Sequence, residues 1–116
     1  MPHQEPASAD KGADLSARFS GQEVVILAET FRLLGDPTRL RILLFCLVQP
    51  KSVGDIAESL ELSQTLVSHH LRLLRGARLV RGERRSRQIF YQVADDHVSD
   101  VLIDMAHHIH EEHSED

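Results

Sequence analysis

The histidines of this chain are concentrated near its C-terminus, where their spacing could support metal binding. The sequence has 116 residues and eight histidines. Five of those histidines follow Asp96, namely His97, His107, His108, His110 and His113. Acidic residues are interspersed among them, and imidazole with carboxylate is a donor set that suits divalent zinc, nickel and cobalt. The segment is therefore a candidate metal site, although a solvated helix face would have a similar composition.

Helix geometry limits how these histidines could share an ion. The periodic apolar residues from Val98 to Ile109 predict a last helix that Asp95 or Asp96 caps. His97 and His108 would lie on one face of it, about 20° apart, but roughly 16 Å apart along the axis. One helix therefore cannot bring both to one ion, whereas two antiparallel copies across a dimer axis could. His108 with Glu111 from one helix would then meet His97 with Asp95 from the other.

The charge of the chain is strongly segregated. The net charge is −5, but Ser63 to Gln92 contains seven arginines and one acidic residue. Val93 to Asp116 contains eight acidic residues and neither Lys nor Arg. A basic block beside an acidic block predicts two surfaces with different partners, phosphate for the first and cations for the second.

The apolar pattern predicts a mainly helical fold with one β-hairpin, in the order α-α-α-α-β-β-α. The first four predicted helices are Gln22–Leu34, Pro37 to about Val48 with Asp36 as its cap, a short helix from Ser52 to Leu60, and Ser63 to about Arg75. The runs Leu79–Arg81 and Gln88–Val93, separated by Gly82 to Arg87, predict the hairpin.

The third and fourth predicted helices and the turn between them are typical of a helix-turn-helix. The fourth begins with short polar side chains that can contact base edges and phosphates, while Leu66, Val67 and Leu71 are expected to anchor it in the core. The arginines of the hairpin tip would form a wing that reaches phosphates or the minor groove. The candidate DNA contacts are Ser63, Gln64, Thr65, Ser68, His69, Arg72, Arg84, Arg85 and Arg87.

Three stretches of the chain together resemble the ArsR/SmtB family of bacterial repressors. They are Leu34–Ile42, Ser52–Ala57 and Leu62–Leu71. The resemblance covers about residues 22–112. It implies a dimeric winged helix-turn-helix protein that binds double-stranded operator DNA as a homodimer and leaves it when an inducer binds.

The arrangement Asp95-x-His97 followed by His108-x-x-Glu111 is similar to the C-terminal-helix metal site of the zinc-sensing branch of that family. The resemblance implies four ligands per site, two symmetric sites per dimer and Zn(II) as the inducer. It also implies that His108 donates a hydrogen bond to the backbone carbonyl of Arg78.

Other interpretations stay open at this point. His110 and His113, with His3, could complete a six-coordinate Ni(II) or Co(II) site, although His3 is more simply a residue of a disordered arm. A metal buffer or carrier could use the His-rich helix without DNA, and a winged-helix regulator could act without any inducer. An enzyme is not expected, since no nucleophile, base and orienting group form an evident set.

A single domain of residues 19–112 is expected, between a flexible arm of residues 1–18 and a tail of residues 113–116. Cys46 is the only cysteine, so an intramolecular disulfide is excluded, and we expect it to pack as a small apolar residue. No apolar stretch approaches the roughly 20 residues that span a bilayer. The start of the chain lacks the pattern of a signal peptide. We therefore predict a cytoplasmic protein with no membrane partner.

Overall fold

The computed structural model describes residues 14–114 as five principal helices and a small antiparallel sheet. The helices are α1 (Gly21–Leu34), α2 (Pro37–Phe45), α3 (Val53–Leu60), α4 (Gln64–Gly76) and α5 (Asp96–Ser114), and the strands are β1 (Lys51–Ser52), β2 (Val80–Arg85) and β3 (Gln88–Val93). Residues 14–18, which were assigned to the arm, are also helical, and the rest of the arm lies outside the described residues. The chain divides into two compact units, one ending at Arg32 and one beginning at Leu33.

The predicted helix caps are present in the structure. The side-chain oxygens of Asp36, Ser52 and Ser63 each accept the backbone N–H three residues further along, at 3.0, 3.1 and 3.1 Å. Asp95 does the same at the start of α5, where its Oδ1 accepts the N–H of Val98 at 3.1 Å. Each bond satisfies a backbone donor that the first helical turn leaves unpaired, so the short polar residues determine where these helices begin.

The core of the second unit lies between α2, α3 and α4. Its fully buried side chains are Ile42, Leu43, Cys46, Ile56, Val67, Leu71 and Leu74. The three from α4 are spaced four and three residues apart, so they form one stripe along that helix. Burying this stripe against α2 and α3 turns the opposite face of α4 outward.

The sheet differs from the prediction in two ways. Lys51 and Ser52 form a strand that pairs with Tyr91 and Phe90 of β3, which makes a three-stranded sheet in the order β1-β3-β2. A strand of two residues is too short to show an alternating pattern, so only its tertiary pairing reveals it.

The predicted turn from Gly82 to Arg87 is also wrong, because β2 continues to Arg85 and pairs there with Gln88. The turn is reduced to Ser86 and Arg87, with Ser86 in the left-handed region at φ 60°. Tight hairpin turns usually contain Gly or Asn, and this turn contains neither. The wing is consequently a longer and more regular ribbon than the sequence suggested.

Cys46 is completely buried at the C-cap of α2, which confirms that it packs as a core residue. Burial raises the pKa of its thiol to about 11, and the nearby Lys51 offsets this only in part. The thiol therefore stays protonated at neutral pH, which argues against reactive or metal-ligating chemistry at this position.

His70 of α4 lies close enough to Asp36 and Arg39, at the start of α2, to interact with their charges. Its Nδ1 is buried and has no hydrogen-bond partner among residues 14–114. Burial lowers the pKa of His70, the Asp36 carboxylate partly opposes this, and the positive charges of Arg39 and His69 add to the lowering. The folded protein therefore favours the neutral imidazole at this position.

We expect the truncation Ile42→Ala to lower the free energy of unfolding by about 2–5 kcal/mol, because it leaves a cavity in the fully buried core. Val48 is 83% exposed. Val48→Ala should therefore change stability by less than about 0.5 kcal/mol. Urea unfolding monitored by circular dichroism would measure both. Equal effects of the two substitutions would contradict the assignment of the core.

Acidification should also destabilise the fold through His70. Between about pH 7.5 and about pH 5.5 the unfolded chain gains a proton that the folded His70 resists, so the free energy of unfolding falls. His70→Gln should reduce this loss, whereas the control His69→Gln, on the exposed face of α4, should retain it. Urea unfolding at the two pH values, with a chelator present, provides the measurement. A loss of the same size in His70→Gln as in the unmodified protein would contradict the role given to this ring.

Candidate functional site

The N-terminal half of α4 presents the polar side chains that the sequence predicted. Gln64, Thr65 and His69 are exposed, and Ser68 is half-buried. Arg72 is exposed one turn further along. Thr65, His69 and Arg72 face away from the buried stripe of α4, whereas Gln64 and Ser68 lie at its border. The structure therefore brings five of the predicted DNA contacts onto one accessible helix face.

Ser63 has a structural role that limits its chemistry. Its Oγ accepts the N–H of Leu66 at 3.1 Å and caps α4. A hydroxyl that accepts one bond can still donate its proton. Ser63 can therefore contact DNA only as a donor or through its remaining lone pair.

Leu66 does not anchor α4 in the core, contrary to the prediction. It is 39% exposed, whereas Val67 beside it is fully buried. The two differ by about 100° around the helix, which is enough to move a side chain from the core to the surface. An exposed Leu among polar contact residues is suited to an apolar contact, such as one with a thymine methyl group.

The wing displays Arg84, Arg85 and Arg87 on its surface. The guanidinium of Arg85 lies 3.3 Å from Glu83 Oε1 and 5.0 Å from the centre of the Phe90 ring. These two contacts restrict Arg85, because a cation over an aromatic face is attracted to it. In the sequence, the wing with its three arginines is the next element after α4, the helix whose exposed face is polar.

Two of the four predicted metal ligands meet at the start of α5. His97 Nδ1 lies 3.8 Å from Asp95 Oδ1. The other two, His108 and Glu111, are one turn apart near the far end of the same helix, where a separation of three residues places them on one face. Nitrogen and oxygen donors in these numbers fit a divalent transition metal.

The structure does not bring the two pairs together. Since α5 is continuous from Asp96 to Ser114, His97 and His108 are separated by roughly 16 Å along the axis. Among residues 14–114 of one chain, no three His, Cys, Asp or Glu side chains are grouped as a metal shell requires.

The remaining predicted residues are placed as follows. His110 and His113 are exposed in the last turns of α5, and His3 lies outside the described residues. Arg78 is in the connection between α4 and β2, with φ at 63°. Its carbonyl as a partner of His108 stays a prediction.

Apolar side chains on α5 remain exposed beside the candidate ligands. Val101, Met105 and Ile109 are 48%, 54% and 49% exposed, and a spacing of four places them along one side of the helix. The sequence marks these residues only as part of the apolar period of the helix, and that period does not show whether an apolar side chain is buried or exposed in a single chain.

Helix α1 also exposes apolar residues. They are Val24, Val25, Ile26, Leu27 and Phe31. The first four are consecutive, so they lie about 100° apart and surround the helix, and a helix that is apolar on all sides is normally covered by other protein. None of the described helices is both long and apolar enough to cross a bilayer.

Comparison with known proteins agrees with this architecture. Residues 36–81 match the family described as bacterial regulatory proteins of the arsR family. The chain is 39% identical over 93 residues to the HTH-type transcriptional regulator NmtR of Mycobacterium tuberculosis, a match that covers 80% of this chain and 78% of that relative. It is 40% identical over 85 residues to the transcriptional repressor SmtB homolog of Synechocystis sp., covering 73% of this chain. That match covers 64% of the Synechocystis protein, slightly less than two thirds of its length.

A solved structure gives the same result. The cadmium metal-sensor CmtR of Mycobacterium tuberculosis superposes with a TM-score of 0.59 at 40% identity, over 66% of this chain and 80% of that one. The named relatives are transcriptional regulators and repressors, not enzymes. The winged helix-turn-helix and these matches together show that the chain belongs to the arsR family of bacterial transcriptional regulators.

Proposed function

We propose that this protein is a metal-responsive transcriptional repressor that binds operator DNA as a homodimer and is released when Zn(II) binds between two α5 helices. The observation that carries the proposal is the pair of half-sites on α5. Asp95 and His97 lie together at its start, and His108 and Glu111 share a face near its end. Each half-site offers two ligands, whereas a zinc site with protein ligands alone needs four.

A second copy of the chain is the partner that completes the coordination. Relative to His97, helix geometry places His108 at about 20°, Val101 at about 40° and Met105 at about 80° around α5. The exposed apolar side chains therefore form a stripe that borders the two histidines on one side. A second α5 that covers them in the antiparallel sense would place His97 of one subunit beside His108 of the other. The exposed apolar residues of α1 offer further surface to the dimer, which a small domain needs for stability.

The side chains supply ligands without rearrangement of the helix. Asp95 caps α5 through Oδ1, and a carboxylate has a second oxygen with which it can bind a metal. Histidine binds a metal only as neutral imidazole, so metal binding should weaken as the solution becomes acidic. A bound Zn(II) would join four side chains from two subunits and so fix the angle between their helices.

The metal site has a short covalent and hydrogen-bonded route to the wing. Ala94 lies between the end of β3 and Asp95, its N–H donates to the Leu79 carbonyl at 3.0 Å, and its carbonyl accepts a bond from the Arg81 guanidinium. A change in the direction of α5 would therefore act on β2 through two hydrogen bonds of Ala94, one to Leu79 just before the strand and one from Arg81 within it. By linkage, DNA must weaken metal binding by the same factor by which metal weakens DNA binding.

A nickel- or cobalt-responsive repressor is the second candidate, because His110 and His113 are exposed on the same helix and add nitrogen donors. Optical spectra of the cobalt-loaded protein distinguish the two, since tetrahedral and six-coordinate ions absorb differently. A metal buffer without DNA binding is disfavoured by the exposed polar face of α4 and by the arginines of the wing.

The metal assignment can be tested with His97→Ala and His108→Ala. Each removes one ligand from both sites of the dimer. The weakening of operator binding by zinc, which is typically 5- to about 150-fold in allosteric systems, should fall close to 1-fold in both variants. His107→Ala is the matched control, because His107 is on the same helix but about 80° from the His97 side.

Fluorescence anisotropy with an operator duplex, with and without zinc, measures this coupling. The site assignment fails if both ligand variants still release DNA when zinc is added.

The DNA assignment can be tested by comparing Gln64→Ala with Arg84→Ala. Gln64→Ala should cost about 1–3 kcal/mol on the preferred sequence and reduce discrimination at one base pair. Arg84→Ala should weaken binding to all duplexes alike and lower the slope of log affinity against log salt by about 1. Arg18→Ala, an exposed arginine near the other end of the chain, should leave both quantities unchanged. A salt slope that Arg84→Ala leaves unaltered would show that the wing makes no such phosphate contact.

A further inference from the structure

An open cleft of about 450 Å³ lies between α3, the start of α4 and the start of β3. Its polar lining comes from Ser52, Asp55, Glu58, Gln64 and Gln88. A neighbouring hollow of about 230 Å³ is lined by the same two glutamines. Gln64 was a predicted DNA contact, whereas Gln88 was not identified from the sequence, because its position beside the turn of the wing, opposite Arg85, depends on the length of β2.

The two glutamines converge from different elements. Gln64 is the first residue of α4 and Gln88 is the first residue of β3. The Nε2 atom of Gln64 lies over the first turn of α3, 3.9 Å from the position that a Cβ on Gly54 would take. The wing therefore places the carboxamide of Gln88 in the same cleft as the carboxamide of Gln64.

Their chemistry suits the edge of a base. A carboxamide offers a carbonyl acceptor beside two N–H donors, and this pattern matches N6 and N7 of adenine in the major groove. The carboxylates of Asp55 and Glu58 in the same cleft only accept hydrogen bonds and repel phosphate. The lining as a whole therefore favours a base that presents an exocyclic amino group, either adenine or cytosine.

Gln92 shows by contrast why Gln88 is available for recognition. Both are glutamines of β3, four residues apart. The Nε2 of Gln92 donates to the carbonyl of Val48 at 3.2 Å, so this side chain ties the strand to the connection that follows α2. Gln88 is exposed at the other end of the strand and faces the cleft.

We propose that Gln88 is a specificity-determining residue of the DNA interface, which together with Gln64 recognises a base, adenine or cytosine, that presents its exocyclic amino group to the cleft from the contacted strand. The inference rests on the proposed DNA-binding function and extends it from α4 to the first residue of β3, beside the turn of the wing. It assigns part of the sequence preference to a residue outside α4.

The test begins by selecting preferred duplexes from a randomised library with the full-length, unmodified protein. Affinities for the best duplex and for each single-base variant of it are then measured by anisotropy. Gln88→Ala should weaken binding to the best duplex by about 5- to 150-fold and should lose discrimination at one position, where the unmodified protein prefers adenine or cytosine to guanine or thymine on the same strand. Gln88→Glu keeps the side-chain length and should move the preference at that position toward cytosine, whose N4 donates to a carboxylate.

Gln92→Ala is the matched control and should retain the sequence preference, and thermal melting confirms that each variant is folded. A uniform loss of affinity over all sequences would identify a phosphate contact and overturn the proposal. An unchanged affinity in Gln88→Ala, while Gln64→Ala loses discrimination, would overturn it and leave the proposed function standing. Failure of the unmodified protein to bind any selected duplex would overturn both.

Discussion

The rise of a continuous α-helix is the constraint on which the account of this protein depends. Between His97 and His108 α5 is unbroken, so the two histidines lie on nearly the same side but roughly 16 Å apart. A metal ion needs its ligands within about 2 Å of itself. The same helix therefore holds two half-sites and completes neither. Exposed apolar side chains of α5 border these histidines on one side, so they offer a surface on which a second α5 could pack beside the half-sites.

The DNA-binding half depends on a different kind of constraint, the burial of one stripe of α4. Val67, Leu71 and Leu74 are packed against α2 and α3, and this fixes which side of α4 faces solvent. The same core also positions the wing, because the buried Leu79 directly precedes Val80, the first residue of β2. Ala94 connects the two halves, since it is bonded to β2 on one side and continues into the cap of α5 on the other.

Local signals in the sequence were sufficient for much of the fold. Asp36, Ser52 and Ser63 marked the starts of three helices because capping is a contact between near neighbours in the chain. The pair Asp95 and His97 was identifiable for the same reason. Spacing on a helix also predicted the distance between His97 and His108, because helix geometry is regular.

The features that the sequence did not reveal all depend on contacts between distant residues. Strand β1 exists only through its pairing with β3, and β2 extends to Arg85 because it pairs with β3 along the whole of that strand, as far as Gln88. Leu66 was placed in the core by its apolar character, but the burial of its neighbour Val67 leaves it on the surface. Gln88 lines the cleft beside Gln64 because β2 and β3 stay paired as far as Arg85 and Gln88, next to the turn of the wing.

The most direct test of the central claim is zinc binding by mixed dimers of His97→Ala and His108→Ala. Each of the two sites in a dimer combines His97 of one chain with His108 of the other. In the mixed dimer one site therefore keeps both histidines, and the other site loses both. Calorimetry on the separate variants and on their refolded mixture should show tight zinc binding restored in the mixture, with one zinc per mixed dimer. If the mixture binds no more zinc than the separate variants do, the site does not lie between two antiparallel α5 helices.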